Sequence, residues 1–241
     1  MVPFRMTDRW NRRLAACFAL LVPFAAVLAV GCSQPDRESA VAPSGPVAAT
    51  APARAPGASR PRILAFGDSL TAGYGIQKSE SYPSVLQRML DERGYVYEVV
   101  NSGVSGETTA GGRRRIDKAL DGDVRIVVIA LGGNDGLRGL PPADLKVNLE
   151  AMVDAARAKG AKVLLAGMEA PPQMGDAYTR EFRDVYRAVA KQRGVELLPF
   201  LLEGVAGEAE LNQADSIHPN PEGARLVART VFGALEPMLK P

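Results

Sequence analysis

From residue 62 onward the sequence predicts an α/β domain, a three-layer α/β/α sandwich around a five-stranded parallel sheet in the flavodoxin-like order 2-1-3-4-5. Short β-rich runs alternate with longer stretches of helical periodicity. The strand-like runs are continuously apolar, as expected for strands covered on both faces. Three glycines, Gly94, Gly160 and Gly194, follow helical stretches where a left-handed cap is expected.

The predicted strands cover residues 63–66, 97–100, 126–130, 162–166 and 196–198. The predicted helices lie near residues 83–93, 109–120, 142–159, 179–193 and 221–239. In sheets of this kind ligands bind outside the carboxyl ends of the strands. The polar residues that follow the strands are therefore the candidates for function.

The N-terminal segment, residues 1–31, has the pattern of a lipoprotein signal peptide. Four arginines precede an uncharged, mostly apolar run from Leu14 to Val30, and the run ends in Leu28-Ala29-Val30-Gly31-Cys32. This ending resembles a bacterial lipobox, which predicts export to the cell envelope or periplasm and a lipid anchor on Cys32. An ordinary cleaved signal peptide and an uncleaved membrane anchor are the alternatives.

The composition of residues 32–61 predicts the lipidated Cys32 followed by a disordered tether. Between Ser33 and Pro61 the chain has six prolines and eight alanines but no aromatic residue, leucine or isoleucine, too little apolar surface to fold. Residues 62–241 are long enough for one core and short for two, so we expect a single domain, and we expect it to be monomeric.

The distribution of charge argues against nucleic-acid binding. Residues 1–61 hold 7 Lys+Arg and 3 Asp+Glu, so the remaining 22 and 24 give the domain a net charge of −2. Nucleic-acid binding depends on clustered Lys and Arg that neutralise phosphates. The one basic cluster, Arg113-Arg114-Arg115, lies in a predicted surface helix and is interpreted as a solvated face.

The cysteines and the histidine limit the possible metal chemistry. Cys17 and Cys32 both lie at or before the predicted cleavage point, so the domain has no disulfide, and His218 is its only histidine. A zinc site of the usual Cys/His type cannot be assembled from these residues. A carboxylate-only site for a hard cation stays open, but no spacing supports it, and we expect neither metal nor cofactor.

Three sets of residues predict nucleophilic catalysis. Ser69, in Gly67-Asp68-Ser69-Leu70, follows the first predicted strand, and Asp215 lies three residues before His218. A serine nucleophile needs an aligned base, the base needs an acid that fixes its tautomer, and the oxyanion needs donors, which Asn134 after two glycines could supply. The structural alternatives are a helix cap at Ser69 and turn residues at Asp215 and Asn134.

Together, the blocks Gly67 to Leu70, Asn101 to Thr108, Gly132 to Gly139 and Asp215 to His218 resemble the SGNH (GDSL) hydrolases. The second and third blocks and Leu197-Leu198-Pro199-Phe200 are most similar to the bacterial thioesterase I/protease I/lysophospholipase L1 (arylesterase) group. The resemblance implies Ser69 as nucleophile, His218 as base and Asp215 as the acid that orients it. It also implies the Ser69 and Gly106 N–H groups and the Asn134 amide as oxyanion donors.

The resemblance further implies a substrate-binding loop that moves on binding, formed by Asp135, Gly136, Leu137, Arg138, Gly139 and Leu140. The expected activity is hydrolysis of carboxylic esters or thioesters through an acyl-enzyme, with a small-molecule or lipid ester as substrate. One alternative is a carbohydrate or cell-wall O-deacetylase that uses the same site. A more remote alternative is a non-catalytic lipoprotein that uses the fold for binding.

Overall fold

The computed structural model describes residues 60–239. The predicted signal peptide, Cys32 and nearly all of the predicted tether lie outside this range, so they stay predictions. Within residues 60–239, no helix is long and apolar enough to cross a membrane.

The sheet has the predicted architecture. Its strands are β1 (Arg62–Gly67), β2 (Glu98–Gly103), β3 (Val124–Ala130), β4 (Lys162–Ala166) and β5 (Glu196–Leu198). All neighbouring strands are parallel, and their order is β2-β1-β3-β4-β5, which confirms the prediction. The edge strand β2 is only half-buried and extends three residues further than predicted, through Asn101, Ser102 and Gly103.

The helices are α1 (Ser69–Ala72), α2 (Tyr82–Glu92), α3 (Thr109–Ala119), α4 (Gly133–Leu137), α5 (Pro142–Ala158), α6 (Asp176–Arg193) and α7 (Pro221–Leu235). Helices α1 and α4 were not predicted, because four or five residues are too few to show a helical period. Helix α7 ends four residues earlier than predicted and continues as a 3₁₀ turn, Glu236–Met238. The proline at position 237 explains this end, because it has no N–H for the helical hydrogen bond.

The helices form the two outer layers of the sandwich. Helices α3, α5 and α6 pack side by side in one layer, and α2 packs against α7 in the other. The core lies between these layers and the central strands, where Ile63, Phe66, Ile126, Ile129 and Leu164 are almost completely buried. Burial of these aliphatic and aromatic side chains is the main source of stability in such a domain.

The register of the sheet brings three strand ends to one level. Gly67 at the end of β1 pairs with Gly103 of β2 on one side and with Ala130 of β3 on the other. A Cβ atom on Gly103 would lie 2.2 Å from the backbone nitrogen of Ala72, so glycine is required for α1 to approach β2 this closely. Segments that follow these three strands therefore start from the same edge.

Candidate active site

Ser69 lies at the turn from β1 into α1. Asp68 caps this short helix, since its side chain accepts a hydrogen bond from the Leu70 N–H at 3.0 Å. Ser69 is the first helical residue and is 9% exposed. Its Oγ lies 2.9 Å from Nε2 of His218, which is 149 residues away in sequence. The fold therefore brings together the predicted nucleophile and the predicted base.

His218 contacts Asp215 through its other ring nitrogen, with 2.7 Å between Nδ1 and Oδ2. The second oxygen of Asp215 accepts the backbone N–H groups of Ile217 and His218, both at 3.0 Å. Three hydrogen bonds lower the pKa of Asp215 to about 2: those from the backbone N–H and the ring of His218, and the one from the backbone N–H of Ile217. Asp215 is thus ionised at neutral pH and can hold the Nδ1–H tautomer of the imidazole.

The turn between these two residues has an uncommon backbone conformation. Ser216 has φ +58°, and it is the single non-glycine residue with positive φ in the described part of the chain. This conformation allows the backbone to fold back so that Asp215 reaches the N–H groups that follow it. Left-handed backbone conformations are unfavourable for residues with a Cβ. The hydrogen bonds to Asp215 offset the conformational free energy that this turn costs at Ser216.

Gln213 connects the histidine loop to the segment after α1. Its backbone N–H donates to the His218 carbonyl oxygen at 2.8 Å, and its side-chain amide donates to the carbonyl oxygens of Tyr74 and Pro219 at 2.7 and 3.0 Å. The Tyr74 ring also packs on the imidazole, with 4.8 Å between ring centroids. These contacts fix the position of His218 relative to the segment that carries Ser69.

The predicted oxyanion donors lie beside Ser69. Gly106 and Asn134 line the same cleft as Ser69 and His218. Gly106 has φ +78°, which favours glycine at this position. The Asn134 amide donates one hydrogen bond to Oδ2 of Asp68 at 3.2 Å, and its second N–H is left for another acceptor.

Asp68 is a buried acid in contact with these groups, and its role was not predicted from the sequence. Burial raises its pKa to about 6, against the opposing effects of the hydrogen bonds from Leu70 and Asn134 and of nearby His218. A carboxylate accepts hydrogen bonds only, so the ionised form requires the NH₂ side of the Asn134 amide to face it. Asp68 thereby sets the orientation of the predicted oxyanion donor.

The two glycines before Asn134 have different functions. Gly132 has φ +121°, and a Cβ there would lie 2.0 Å from the hydroxyl oxygen of Tyr186, which donates to the Leu131 carbonyl oxygen. Its requirement for glycine comes from this buried tyrosine and not from a ligand. Gly133 does line the cleft, as expected from the sequence.

Arg115 corrects the interpretation of the arginine cluster as a solvated face. Arg113 and Arg114 are exposed, but the Arg115 guanidinium lies 3.9 Å from the centre of the Phe66 ring. Its Nε donates to both carboxylate oxygens of Glu107, at 2.9 and 2.8 Å.

The same guanidinium also contacts the ends of two strands. It donates to the Gly67 carbonyl oxygen at 3.1 Å, and to the Ser102 hydroxyl and carbonyl oxygens at 2.9 and 3.0 Å. Glu107 directly follows Gly106. Arg115 therefore ties the turn that carries a predicted oxyanion donor to the strand that precedes Ser69.

The predicted substrate-binding loop, Asp135 to Leu140, lies only partly in the cleft. Leu137 lines the cleft, whereas Asp135 is buried and accepts the Thr109 N–H at 2.9 Å, tying α4 to the start of α3. The backbone oxygen of Leu140 accepts the Tyr178 hydroxyl at 2.7 Å. Among the six predicted residues, Leu137 lines the cleft, and the substrate-binding assignment of Asp135, Gly136, Arg138, Gly139 and Leu140 stays a prediction.

Two of these residues have specific contacts. Arg138 donates to the carbonyl oxygen of Gly106 at 2.9 Å, so it joins this segment to the turn that carries Gly106. Gly136 packs against Ala170 and Phe182, where an added Cβ would lie 3.2 Å from each. Both contacts hold the end of α4 in place around the cleft.

The cleft has a volume of about 1030 Å³. Ser69 and His218 lie in its wall, and ten further lining residues come from two segments that the sequence analysis did not assign to the site. One is residues 168–173, which follow β4. The other follows β5 and contributes Phe200, Leu202, Ala206 and Gly207, together with Tyr74 and Ile217 from neighbouring loops.

The general rule that ligands bind at the carboxyl ends of strands could have predicted that these two segments border the cleft. Their apolar composition gave no signal, because apolar residues are equally expected in the core. Across residues 60–239 no group of three or more His, Cys, Asp or Glu side chains is arranged to hold a metal ion.

Comparison with known proteins gives consistent matches over the domain. Residues 65–226 match the GDSL-like Lipase/Acylhydrolase family. The esterase TesA of Pseudomonas aeruginosa is 46% identical over 178 residues, covering 73% of this chain and 89% of TesA. The thioesterase 1/protease 1/lysophospholipase L1 of Escherichia coli (strain K12) is 34% identical over 178 residues, covering 73% of this chain and 84% of that protein. A crystal structure of TesA has a TM-score of 0.72 at 45% identity, covering 74% of this chain and 99% of the TesA chain.

Asp68 leads to a prediction about stability and pH. Its pKa is about 6 in the folded chain against 3.8 for an unperturbed carboxyl, so the folded state binds the proton more tightly than the unfolded state. The stabilisation from this group is fully present below pH 3.8 and is lost as the pH rises to about 6. We expect non-titrating Asp68→Asn to gain about 3 kcal/mol in free energy of unfolding, relative to wild type, across this interval.

Urea unfolding of both proteins at several pH values between about 4 and 7.5 measures this difference. Titratable groups that do not interact with Asp68 cancel in the difference, and an altered contact with Asn134 adds only a constant. A difference that does not change with pH would contradict the raised pKa of Asp68.

Proposed function

Because the chain belongs to the GDSL-like Lipase/Acylhydrolase family and is an ester-hydrolysing enzyme, we propose that it works through a Ser69-His218-Asp215 triad and a covalent acyl-enzyme. The family resemblance predicted from the sequence blocks is confirmed. The observation that carries the proposal is the continuous hydrogen-bonded chain from Ser69 Oγ to His218 Nε2, at 2.9 Å, and from His218 Nδ1 to Asp215, at 2.7 Å.

In the first half-reaction His218 Nε2 accepts the Ser69 proton while Oγ attacks the carbonyl carbon of the ester or thioester. The imidazolium is stabilised by the ionised Asp215 carboxylate. Collapse of the tetrahedral intermediate breaks the bond to the leaving oxygen or sulfur, which receives the proton from His218. The acyl group is then an ester of Ser69.

In the second half-reaction a water molecule attacks this acyl-enzyme. His218 accepts a proton from the water and later returns it to Ser69 Oγ, so the acid product leaves and the triad is restored. Every proton moves through His218, and no redox change occurs. The chain's own side chains therefore suffice for the reaction.

The negative charge that forms on the carbonyl oxygen is assigned to three donors. The Ser69 N–H lies in the first turn of α1, where backbone N–H groups have no helical acceptor. Gly106 N–H and the second N–H of the Asn134 amide border the same cleft. Preorganised donors of this kind stabilise the transition state because they need no rearrangement as charge develops.

The cleft supports an acyl or aryl ester as substrate better than an acetylated carbohydrate. Its volume of about 1030 Å³ is far larger than an acetyl group needs, and its lining includes the apolar side chains Leu137, Met168 and Phe200. The O-deacetylase alternative has weaker support, from a more distant relative named acetylxylan esterase that is 27% identical over 210 residues. The alternative of a non-catalytic binding protein is wrong, because the relatives that define the family are hydrolases.

We also propose that the enzyme is exported and held at the cell envelope by a lipid on Cys32. The support is the sequence pattern of residues 1–32, with its arginines, apolar run and lipobox-like end. A tether of about 30 residues would let the monomeric domain reach substrates away from the lipid surface.

We expect Ser69→Ala to lower kcat by roughly 10³-fold or more while the fold is kept, as for loss of one member of a coupled triad. Ser105→Ala is the matched comparison, because Ser105 also lines the cleft but, within residues 60–239, no hydrogen bond joins it to His218. Ester hydrolysis and labelling by a fluorophosphonate, read by mass spectrometry, distinguish the two serines. If Ser105→Ala lost more activity than Ser69→Ala, the nucleophile would be misassigned.

We expect Arg115→Met to lower kcat by about 10- to 100-fold with a smaller change in KM, because the turn that carries Gly106 would no longer be held in position. Arg114→Met is the control, since it removes the same charge from an exposed neighbour. Arg115→Lys should recover only part of the activity, because an ammonium cannot reproduce the forked contact with Glu107.

Steady-state kinetics on one p-nitrophenyl ester, together with urea unfolding, give the comparison among these arginine variants. Equal kcat values for Arg115→Met and Arg114→Met would show that the turn does not depend on Arg115.

Replacement of Cys32 by serine should release the protein from the membrane fraction or leave an unprocessed precursor, because lipid attachment needs the thiol. Cys17→Ser is the control, since Cys17 lies inside the predicted signal peptide. Cell fractionation and the mass of the mature protein give the result. A soluble wild-type protein processed identically in both variants would indicate an ordinary cleaved signal peptide.

A further inference from the structure

The carboxyl group of Glu169, which has no role in the proposed hydrolysis, adds to the negative charge of the cleft. Of the described residues that line it, none is a lysine or an arginine, whereas Asp68, Glu169 and Asp215 contribute carboxyl groups. Arg138 donates to the Gly106 carbonyl oxygen and is not part of the lining. A ligand in the cleft therefore meets negative charge without a lining cation to balance it.

The three carboxyl groups have different surroundings. Asp215 is engaged by His218, and Asp68 is buried against Asn134. Glu169 is exposed, and no hydrogen bond or ion pair to it is found within residues 60–239. Its charge is thus uncompensated and faces the space that a substrate occupies.

One wall of the cleft adds to this potential. Residues 199–219, which supply Phe200 to Gly207 and the histidine loop, contain three acidic residues besides Asp215 and no lysine or arginine. Glu203 and Glu208 of this stretch are exposed beside the lining residues. Because the whole domain is nearly neutral, this wall concentrates negative charge on the side of the molecule that binds substrate.

We propose that the cleft selects esters and thioesters that are neutral or cationic near the scissile bond, that it discriminates against anionic ones, and that Glu169 is the main determinant. This inference rests on the proposed esterase function. Like charges at about 6–10 Å in a partly solvated cleft repel by an amount that corresponds to about threefold to tenfold in binding. The effect falls mainly on KM, because the substrate charge is separate from the reacting carbonyl.

The test uses three thioesters with one acyl group and one reacting bond. They are S-butyrylthiocholine, its neutral isostere S-(3,3-dimethylbutyl) thiobutyrate, and the S-butyryl ester of 2-mercaptoethanesulfonate. Release of thiol gives kcat/KM for each. We expect the anionic thioester to be about threefold to tenfold poorer than the neutral one, with the cationic thioester at least as good as the neutral one. Added salt should reduce the difference.

Glu169→Gln should bring the anionic-to-neutral ratio closer to one, through a lower KM for the anionic thioester. Glu92→Gln is the control, because it removes the same charge from the exposed end of α2 and should leave the ratio as in wild type. Circular dichroism checks the fold of both variants.

The outcomes separate this inference from the proposed function. If wild type hydrolyses the neutral and anionic thioesters equally well, charge selection is overturned while the esterase proposal stands. If Glu169→Gln keeps the wild-type ratio, the assignment to Glu169 is overturned. Failure to hydrolyse all three thioesters and the p-nitrophenyl esters would instead count against the proposed function.

Discussion

Three parallel strands end at one level in the centre of the sheet, where Gly67 pairs with both Gly103 and Ala130. The remaining geometry of the site depends on this register. Ser69 lies two residues beyond that level, Gly106 three and Asn134 four, so each reaches the cleft from a short and well-defined segment. A shift of one strand by one residue would exchange buried and exposed faces along its length. The partly buried guanidinium of Arg115 bonds to two of these strand ends and reinforces the register.

The sequence was sufficient to predict the sheet and to place the proposed reacting groups at one edge of it, and the reason is physical. Continuous apolar strands covered by helices have few other arrangements, and the carboxyl edge of a parallel sheet collects whatever polar residues follow each strand. Ser69, Asn134 and the pair Asp215 and His218 all follow or precede an element directly. Their placement therefore required only the strand order and the element boundaries.

Some residues have a function that depends on where the side chain points or on a partner far away in sequence, and these could not be predicted in this way. Arg115 belongs to a run of three arginines, and only its contact with Gly67, 48 residues away, distinguishes it from its exposed neighbours. Asp135 directly follows Asn134, the proposed oxyanion donor, yet its carboxylate bonds to Thr109. Burial of Asp68, which raises its pKa, is likewise a consequence of packing between segments far apart in sequence. Sequence spacing contains no information on these directions.

The carboxyl groups of the site show how similar side chains acquire different functions. Asp215, with several hydrogen bonds to its carboxylate, has a pKa of about 2, and Asp68, which is buried, has a pKa of about 6. Both are held by groups next to the reacting atoms, so their replacement should act on the transition state. Within residues 60–239 no hydrogen bond or ion pair to Glu169 is found, and this residue lines the open cleft. Its charge therefore acts equally on the bound substrate and on the transition state. Uniform interactions of that kind change KM and leave kcat nearly constant. Substrate charge preference can therefore vary at position 169 without disturbing the hydrogen-bonded network beneath Ser69.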